Sequence, residues 1–305
     1  MRILIGAPTA EAAAPPELMA LELEALMRGF HRELSRFEPS SALSRMNASA
    51  DRDVVAGPLV AGLVLEARRA AAASGGLVDS AVVNQLERIG YGSSRAGAEP
   101  ADLRSALAVA PERRPAGAAP TARWQEVRAD PAQGLVSRPP GMRIDSGGIG
   151  KGLIADLTSR RLREYTSFAV DCGGDLRIGG RSQRARSVEI LHPFDERSAL
   201  FLEVSAGGVA TSGLRNRIWR SGDSYLHHLI DPSTGLPAWT GVVQATAFAP
   251  TATRAEVLAK TALLAGPSRA RRLLAPGGGA LVLDSGEVEL IGEVGTSRLA
   301  LEGAA

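Results

Sequence analysis

One short segment restricts the fold of this chain more than any other: the glycine-rich run Asp145 to Gly152, which reads Asp-Ser-Gly-Gly-Ile-Gly-Lys-Gly. It leaves a predicted strand, Gly141 to Ile144, and opens a predicted helix, Leu153 to Glu164. Glycine lets a backbone approach a ligand closely, amides at a helix start face an anion, and Lys151 adds a positive charge. The run fits a phosphate group; on spacing alone, a tight turn with a solvated lysine fits equally well. It matches neither a Walker A loop nor a dinucleotide fingerprint.

A second segment places two of the four histidines side by side, His227 and His228, just before the turn-forming run Asp231 to Gly235. Successive residues of a strand face opposite sides, so adjacent histidines rarely bind one ion. We therefore expect one of the two to face a site. Taken alone, the run Asp231 to Gly235 indicates a capped turn.

The remaining pattern mixes helices and strands without strict alternation, which predicts an α+β fold. At 305 residues the chain suffices for one large domain or two intimate lobes. Apolar periodicity predicts helices at Glu17 to Phe37, Pro58 to Ser74, Leu153 to Glu164 and Arg254 to Ala265, with a short one after Asp79. Strands are predicted at Trp124 to Val127, Gly141 to Ile144, Phe168 to Val170, Leu176 to Ile178, Ser187 to Leu191 and Gly241 to Phe248, with a hairpin of Ala280 to Leu283 and Glu287 to Ile291. Residues 92–122, rich in Ala, Gly, Pro, Ser and Arg, predict an irregular, partly ordered excursion.

Composition disfavours several classes of protein. The 35 basic and 33 acidic residues leave a net charge of +2 with no basic block, and three Trp, three Tyr and six Phe offer no stacking platform, so nucleic acid is not expected as a partner. Cys172 is the only cysteine, which excludes an internal disulfide and a multi-thiolate zinc site. No apolar run reaches the roughly 18 residues of a spanning helix, and no signal segment is visible, so we expect a cytoplasmic protein without membrane insertion.

Six segments, in the same order, resemble motifs of the FAD:protein FMN transferases, the ApbE-type flavin transferase family. Asp145 to Gly152 resembles the Asp-x-Gly-Gly-Ile-Ala-Lys-Gly motif of that family, and His228 to Gly235 resembles its His-Ile-x-Asp-Pro-x-Thr-Gly motif. The other four segments are Ser40 to Asn47, Gly76 to Asp79, Cys172 to Asp175 and Ala210 to Gly213. This resemblance implies a single domain over residues 1–305, with two lobes of mixed sheet and helices and an FAD cleft between them.

The resemblance also implies an activity. The family transfers the FMN half of FAD to a Ser or Thr hydroxyl of an acceptor protein, releases AMP, and uses Mg²⁺ on the pyrophosphate. His228 is then the candidate for accepting the proton of the acceptor hydroxyl, or else hydrogen-bonds flavin or backbone, and Asp145 is the second catalytic candidate. The implied FAD contacts are Phe37, Asp79, Asp145, Lys151, His228 and Leu229. The implied metal ligands are the Gly150 carbonyl and the residue at position 256.

The chain departs from the family at the metal. The family's helix reads Ala-Asp-x-x-x-Thr, whereas here Glu256 occupies the Asp position and Lys260 the Thr position, with Thr261 one residue too far around the helix. Two interpretations follow: the Lys260 ammonium stands where the ion would lie, paired with Glu256, or the two residues form a surface i,i+4 pair. The first strand also lacks the family's Met-Gly-Thr, and Val78 and Ser80 replace its Phe and Pro beside Asp79.

These departures keep two alternatives to transfer open. One is a flavin-binding protein without transfer activity. The other is an FAD pyrophosphatase, in which water replaces the acceptor hydroxyl and the products are FMN and AMP.

Overall fold

The structure, a computed structural model, describes residues 1–9, 14–182 and 184–293, together with the backbone of 297–299. Seven α-helices lie in these ranges: α1 (Pro16–Leu34), α2 (Ala42–Ala48), α3 (Pro58–Ala73), α4 (Val83–Arg88), α5 (Leu103–Ala108), α6 (Gly150–Ser159) and α7 (Ala252–Leu274). Short 3-10 turns occupy Arg123–Glu126, Arg160–Leu162 and Arg215–Arg217. In the described part of the chain, no helix combines the length and the apolar character that crossing a bilayer requires.

A seven-stranded sheet forms the centre of the molecule, and every neighbouring pair in it is antiparallel. Its strands, in spatial order, are β1 (Arg2–Ile5), β5 (Phe168–Asp171), β6 (Asp175–Gly179), β9 (Gly207–Gly213), β14 (Val242–Ala249), β15 (Gly279–Leu283) and β16 (Val288–Ile291). Smaller sheets join β2 (Asp53–Val55), β4 (Leu135–Ser137) and β3 (Arg128–Asp130), and then β17 (Ser297–Leu299), β8 (Ser198–Val204) and β7 (Arg186–Leu191). Two-stranded ribbons pair β10 (Ile218–Ser221) with β11 (Ser224–His227), and β12 (Ile230–Asp231) with β13 (Leu236–Pro237). The predicted α+β class is confirmed.

Two hydrophobic cores lie on either side of a cleft. One gathers the apolar faces of α1, α2, α3 and α6 against β5, with Leu23, Leu63 and Val170 fully buried. The other packs α7 against β14 and β15 through Ala245, Leu263 and Leu281, which are equally buried. Removing this apolar surface from water is the main force that fixes both halves. The cleft described below lies where the two cores meet.

The start of α6 is locked to the start of α7. A Cβ on Gly152 would lie 2.6 Å from the Ala252 carbonyl, so only glycine permits this approach. Asp156 accepts hydrogen bonds from the backbone N–H groups of Ala252 and Thr253, each 2.9 Å long, and so satisfies free amides at the N-terminus of α7. This junction brings the second and third turns of α7, which carry Glu256 and Lys260, alongside the glycine-rich run.

A kink interrupts α7 where the predicted helix ends. Gly266 has a positive φ of 75°, and Pro267 follows it inside the helix. Two carbonyls near the kink find partners elsewhere: the Thr240 hydroxyl donates to the Leu263 carbonyl at 2.6 Å, and the Ala116 amide donates to that of Leu264 at 2.8 Å. The second bond fastens residues 92–122 to the body of the protein, and this segment also contains α5.

Two predicted strands are wrong. Trp124 to Val127 lies mostly in a 3-10 turn, because its backbone bonds are local, and strand structure begins only at Arg128. Gly141 to Ile144 is irregular: the Ile144 backbone exchanges hydrogen bonds of 2.8 and 2.9 Å with the side-chain amide of Asn47, and the Met142 carbonyl accepts from the buried Arg138 guanidinium at 2.6 Å. Since side chains satisfy this backbone, no ladder forms.

Candidate active site

A cleft of about 320 Å³ lies between the two cores. Its wall is built from the end of α1, the segment before α4, the glycine-rich run, the segment after β11, and α7. Of the predicted site residues, this wall contains Phe37, Asp79, Asp145, His228 and Leu229, and it also contains Lys260. Gly150, Lys151 and Glu256 lie behind the wall rather than in it.

Asp145 is held by a buried arginine. Its Oδ1 lies 2.9 Å from Nε of Arg36, and the two side chains are 14% and 3% exposed, respectively. The same guanidinium donates to the Tyr91 carbonyl at 2.8 Å and lies 4.1 Å from the centre of the Phe37 ring. A carboxylate paired with an arginine accepts hydrogen bonds but donates none. Asp145 therefore presents a fixed acceptor to anything in the cleft.

Asp79 is a second carboxyl group in the wall. Burial raises its pKa above the usual range, and the hydrogen bond that Oδ1 accepts from the Ala81 amide, 2.9 Å long, offsets part of that rise. A half-buried carboxyl with one backbone donor keeps further acceptor positions free. It suits a ligand that carries N–H or O–H donors.

The two adjacent histidines at the end of β11 face opposite ways, as expected for successive residues of a strand. The His227 ring is fully buried, packs 4.7 Å from the Trp239 ring, and accepts the Leu229 amide on Nδ1 at 3.3 Å. His228 faces the cleft, and among the described residues its buried Nδ1 has no hydrogen-bond partner. Burial, aided by the positive charge of Arg217, lowers the pKa of His228 well below 6.5. A neutral ring with a free nitrogen is able to accept a proton.

Lys260 and Glu256 form a buried pair on α7. Their side chains are 12% and 2% exposed, with Nζ 3.7 Å from Oε1, so the surface-pair interpretation is wrong. The Lys260 ammonium donates to the Gly148 carbonyl at 2.6 Å, with the Gly147 carbonyl at 3.4 Å. Oε2 of Glu256 accepts the Gly152 amide at 2.9 Å. Burial lowers the pKa of Lys260 and raises that of Glu256. The Glu256 carboxylate partly offsets the fall in the pKa of Lys260, and the Lys260 ammonium partly offsets the rise in the pKa of Glu256.

These residues do not fit the divalent ion that the family resemblance implies. Mg²⁺ requires a near-octahedral set of oxygen ligands. Here an ammonium already occupies the Gly148 carbonyl, and the Thr261 hydroxyl donates within the helix to the Val257 carbonyl at 2.6 Å. The described residues also contain no cluster of three or more His, Cys, Asp or Glu side chains suited to a metal ion.

Lys151 is directed at a carboxylate behind the glycine-rich run. Its Nζ lies 2.6 Å from Oδ2 of Asp175, whose side chain is 1% exposed. Asp175 begins β6 and belongs to the segment Cys172 to Asp175. The pair ties the N-terminal turn of α6 to the end of the central sheet, and an FAD contact of Lys151 remains a prediction.

Sequence reasoning missed three residues of the cleft: Arg36, Tyr91 and Arg217. The Arg217 guanidinium donates to the Tyr91 hydroxyl at 2.6 Å, and the Tyr91 ring lies 5.7 Å from that of Phe37 in an edge-on arrangement. The signal available was the position of Tyr91 between α4 and the excursion, and that of Arg217 shortly after the segment Ala210 to Gly213. Neither arginine belongs to one of the six matched segments.

Comparison with known proteins identifies a family for this chain. The sequence model of the ApbE family matches residues 5–282. A FAD:protein FMN transferase of Klebsiella pneumoniae (strain 342) is 26% identical over 268 residues, covering 86% of this chain and 75% of that protein. The FAD:protein FMN transferase of Treponema pallidum (strain Nichols) is 34% identical over 148 residues, covering 44% of this chain and 41% of that protein.

Solved structures show the same fold. The crystal structure of the ApbE protein from Thermotoga maritima superposes with a TM-score of 0.74 at 23% identity, covering 92% of this chain and 91% of that one. The flavin transferase ApbE from Vibrio cholerae superposes with a TM-score of 0.67 at 20% identity, with the same coverage of both chains.

Proposed function

The chain belongs to the ApbE family, and we propose that it transfers the FMN half of FAD to a Ser or Thr hydroxyl of an acceptor protein and releases AMP. The observation that carries this proposal is one cleft wall that holds His228, a neutral imidazole with a free nitrogen, together with the cation Lys260. Phosphoryl transfer from a pyrophosphate needs charge neutralisation, an aligned hydroxyl and a proton acceptor.

In the proposed reaction, the hydroxyl oxygen of the acceptor attacks the phosphorus of the FMN half. The bond between that phosphorus and the bridging oxygen breaks, and the bridging oxygen leaves with AMP. His228 takes the hydroxyl proton, because its lowered pKa keeps the ring neutral at pH 7 and its Nδ1 has no competing partner in the described chain. A lone pair of the hydroxyl oxygen forms the new P–O bond, and transfer of its proton to His228 prevents a positive charge on that oxygen without forming a free alkoxide.

The cleft also suits the shape of FAD. Phe37, Tyr91 and Leu229 supply aromatic and apolar surface for a flat ring system, whereas Arg217 and Lys260 supply positive charge for phosphates. Asp79 and Asp145 supply acceptors for the N–H and O–H groups of the flavin or the sugar. Lys151 stays a predicted contact of the same ligand through the start of α6, although its ammonium pairs with Asp175 behind the cleft wall.

The decisive experiment incubates the purified protein with FAD and an acceptor domain that carries a flavinylation motif. Covalent flavin is read by in-gel fluorescence and intact mass, and AMP by chromatography. Flavin on the acceptor with equimolar AMP supports transfer. AMP and free FMN without labelled acceptor indicate a pyrophosphatase, and FAD binding without AMP indicates a binding protein.

The variant His228→Ala tests the proton acceptor. We expect a loss of transfer on the order of 10²-fold or more, with FAD binding still measurable by fluorescence quenching. His192→Ala is the matched control, because His192 lies outside the cleft, where its Nε2 contacts the Gly286 carbonyl at 3.1 Å. Unchanged turnover in His228→Ala removes this residue from the base role.

A further inference from the structure

Lys260 is a feature of the cleft that the family resemblance does not explain. A lysine at the third turn of a helix ordinarily extends into solvent, but here only 12% of the side chain is exposed. Its ammonium reaches across from α7 to the backbone of the glycine-rich run, where it donates to the Gly148 carbonyl at 2.6 Å. The charge is thus fixed at the turn that was predicted to hold a phosphate.

We infer that the ammonium of Lys260 supplies the positive charge at the FAD pyrophosphate, so that flavin transfer by this chain needs no divalent metal ion. The inference rests on the proposed function and specifies how the same site neutralises its substrate. A metal titration distinguishes a failure of this inference from a failure of the proposed function.

The hydrogen-bonding capacity of Lys260 leaves room for a phosphate oxygen. An ammonium has three N–H donors. One is used on the Gly148 carbonyl, and a second approaches the Gly147 carbonyl at 3.4 Å. Glu256 balances the charge at 3.7 Å, beyond hydrogen-bonding distance, so it does not consume the third donor.

The surroundings hold this ammonium in place. Glu256 is itself anchored by the Gly152 amide at 2.9 Å, and Asp156 caps the helix that carries both residues. Two other cations nearby are committed to carboxylates, Lys151 to Asp175 and Arg36 to Asp145, and a third, Arg217, donates to the Tyr91 hydroxyl. A preorganised donor of this kind stabilises developing negative charge without rearrangement during the reaction.

The same arrangement excludes a divalent ion. A cation placed at the Gly148 carbonyl would displace the ammonium from its acceptor and remain close to a like charge in a poorly solvated wall. The nearest hydroxyl on the helix, that of Thr261, is directed into the backbone. The Gly148 carbonyl and the Thr261 hydroxyl are therefore both engaged and are not available to an ion.

The test measures AMP release and acceptor labelling by the full chain with FAD in excess EDTA, in Mg²⁺ and in Mn²⁺. We expect rates that agree within about twofold across the three conditions, which corresponds to a negligible change in transition-state stabilisation. Electron paramagnetic resonance of Mn²⁺ mixed with protein and FAD should show no ion bound beyond that held by FAD alone. A rate that vanishes in EDTA and returns with Mg²⁺ overturns the inference but leaves the proposed function intact.

Variants at Lys260 give the complementary result. Lys260→Met should lower AMP release by about 10²-fold, the typical effect of removing one preorganised donor, and Lys260→Arg should restore part of it. The double variant Lys260→Thr with Glu256→Asp should become dependent on Mg²⁺. Thr261→Val is the matched control and should behave like the parent. Equal rates in Lys260→Met and the parent overturn the inference, whereas absence of AMP in the parent under every condition refutes the proposed function itself.

Discussion

Of the two neighbouring histidines, His228 faces the cleft, whereas His227 is buried and yields a quantitative prediction about stability. The ring is fully buried, and burial lowers its pKa from 6.5 to about 3. In the unfolded chain the same ring titrates near its ordinary value. At a pH between these two pKa values, the ring is protonated in the unfolded state and neutral in the folded state. The free energy of unfolding is therefore unaffected by His227 above pH 6.5 and falls as the pH drops below it.

The magnitude follows from the difference between the two pKa values. One pH unit within the window corresponds to about 1.36 kcal/mol, so lowering the pH from about 7.5 to about 5 should remove ~2 kcal/mol through His227 alone. His227→Asn retains an acceptor for the Leu229 amide, which His227 Nδ1 accepts at 3.3 Å, but has no titration in this range. The variant should lose ~2 kcal/mol less than the parent over the same interval.

The assay is urea denaturation followed by tryptophan fluorescence at both pH values, for the parent and for His227→Asn. Other titrating groups contribute alike to both proteins, so the difference between the two pH dependences isolates this ring. Between about pH 7.5 and about pH 8.5 the two proteins should show no difference in slope, which serves as the internal control. Parallel stability profiles down to about pH 5 would refute the assignment of a buried, neutral His227.

Three further predictions concern other parts of the site. Arg36→Met should cost ~3–5 kcal/mol of unfolding free energy, because it leaves Asp145 buried without its partner, whereas Arg28→Met breaks an exposed pair and should cost under ~1 kcal/mol; equal losses by urea denaturation would contradict this. Gly152→Ala should cost ~1–3 kcal/mol through the clash with the Ala252 carbonyl, whereas Gly29→Ala on the open face of α1 should be neutral or stabilising, as read from the melting temperatures. Because the neutral imidazole is the active form and the pKa of His228 lies well below 6.5, transfer by His228 should not switch off as the pH falls through 6.5; a rate profile with a half-point at 6.5 that is lost in His228→Ala would contradict the lowered pKa.

The sequence predicted those parts of the fold that depend on local pattern. Apolar periodicity located α1, α3 and the first part of α7, because burial of one face imposes that period. Short runs bounded by turn residues located β5, β6 and β14. It missed the irregular backbone at Gly141 to Ile144, where a distant side chain, Asn47, replaces the strand ladder. Long-range side-chain bonds of this kind leave no periodic signal.

The residues of the candidate site likewise separate into those that local sequence motifs predicted and those that only long-range contacts bring into the cleft. His228, Asp145, Asp79, Phe37 and Leu229 were found because they belong to or adjoin segments with family motifs, and the cleft brings all five together. Arg36, Tyr91 and Arg217 were missed because their roles arise from contacts across the fold, such as the 2.9 Å ion pair of Arg36 with Asp145. A pattern of residue types cannot reveal which arginine turns inward.

The buried charges around the cleft follow one arrangement. Arg36 lies on Asp145, Lys151 on Asp175 and Lys260 beside Glu256, so each of these cations is balanced before a ligand arrives. Burying charge costs folding free energy unless a partner compensates, which is why these carboxylates accompany the cations. Arg217 differs, since within the described ranges its side chain bonds only to the Tyr91 hydroxyl and to no carboxylate, and it is exposed at the cleft wall. Arg36 and Lys151, each in direct contact with its carboxylate, can therefore hold geometry. Arg217 adds an exposed positive charge to that of Lys260 for an incoming phosphate, and the salt dependence of FAD binding should arise mainly from Arg217 because exposed charges are screened most.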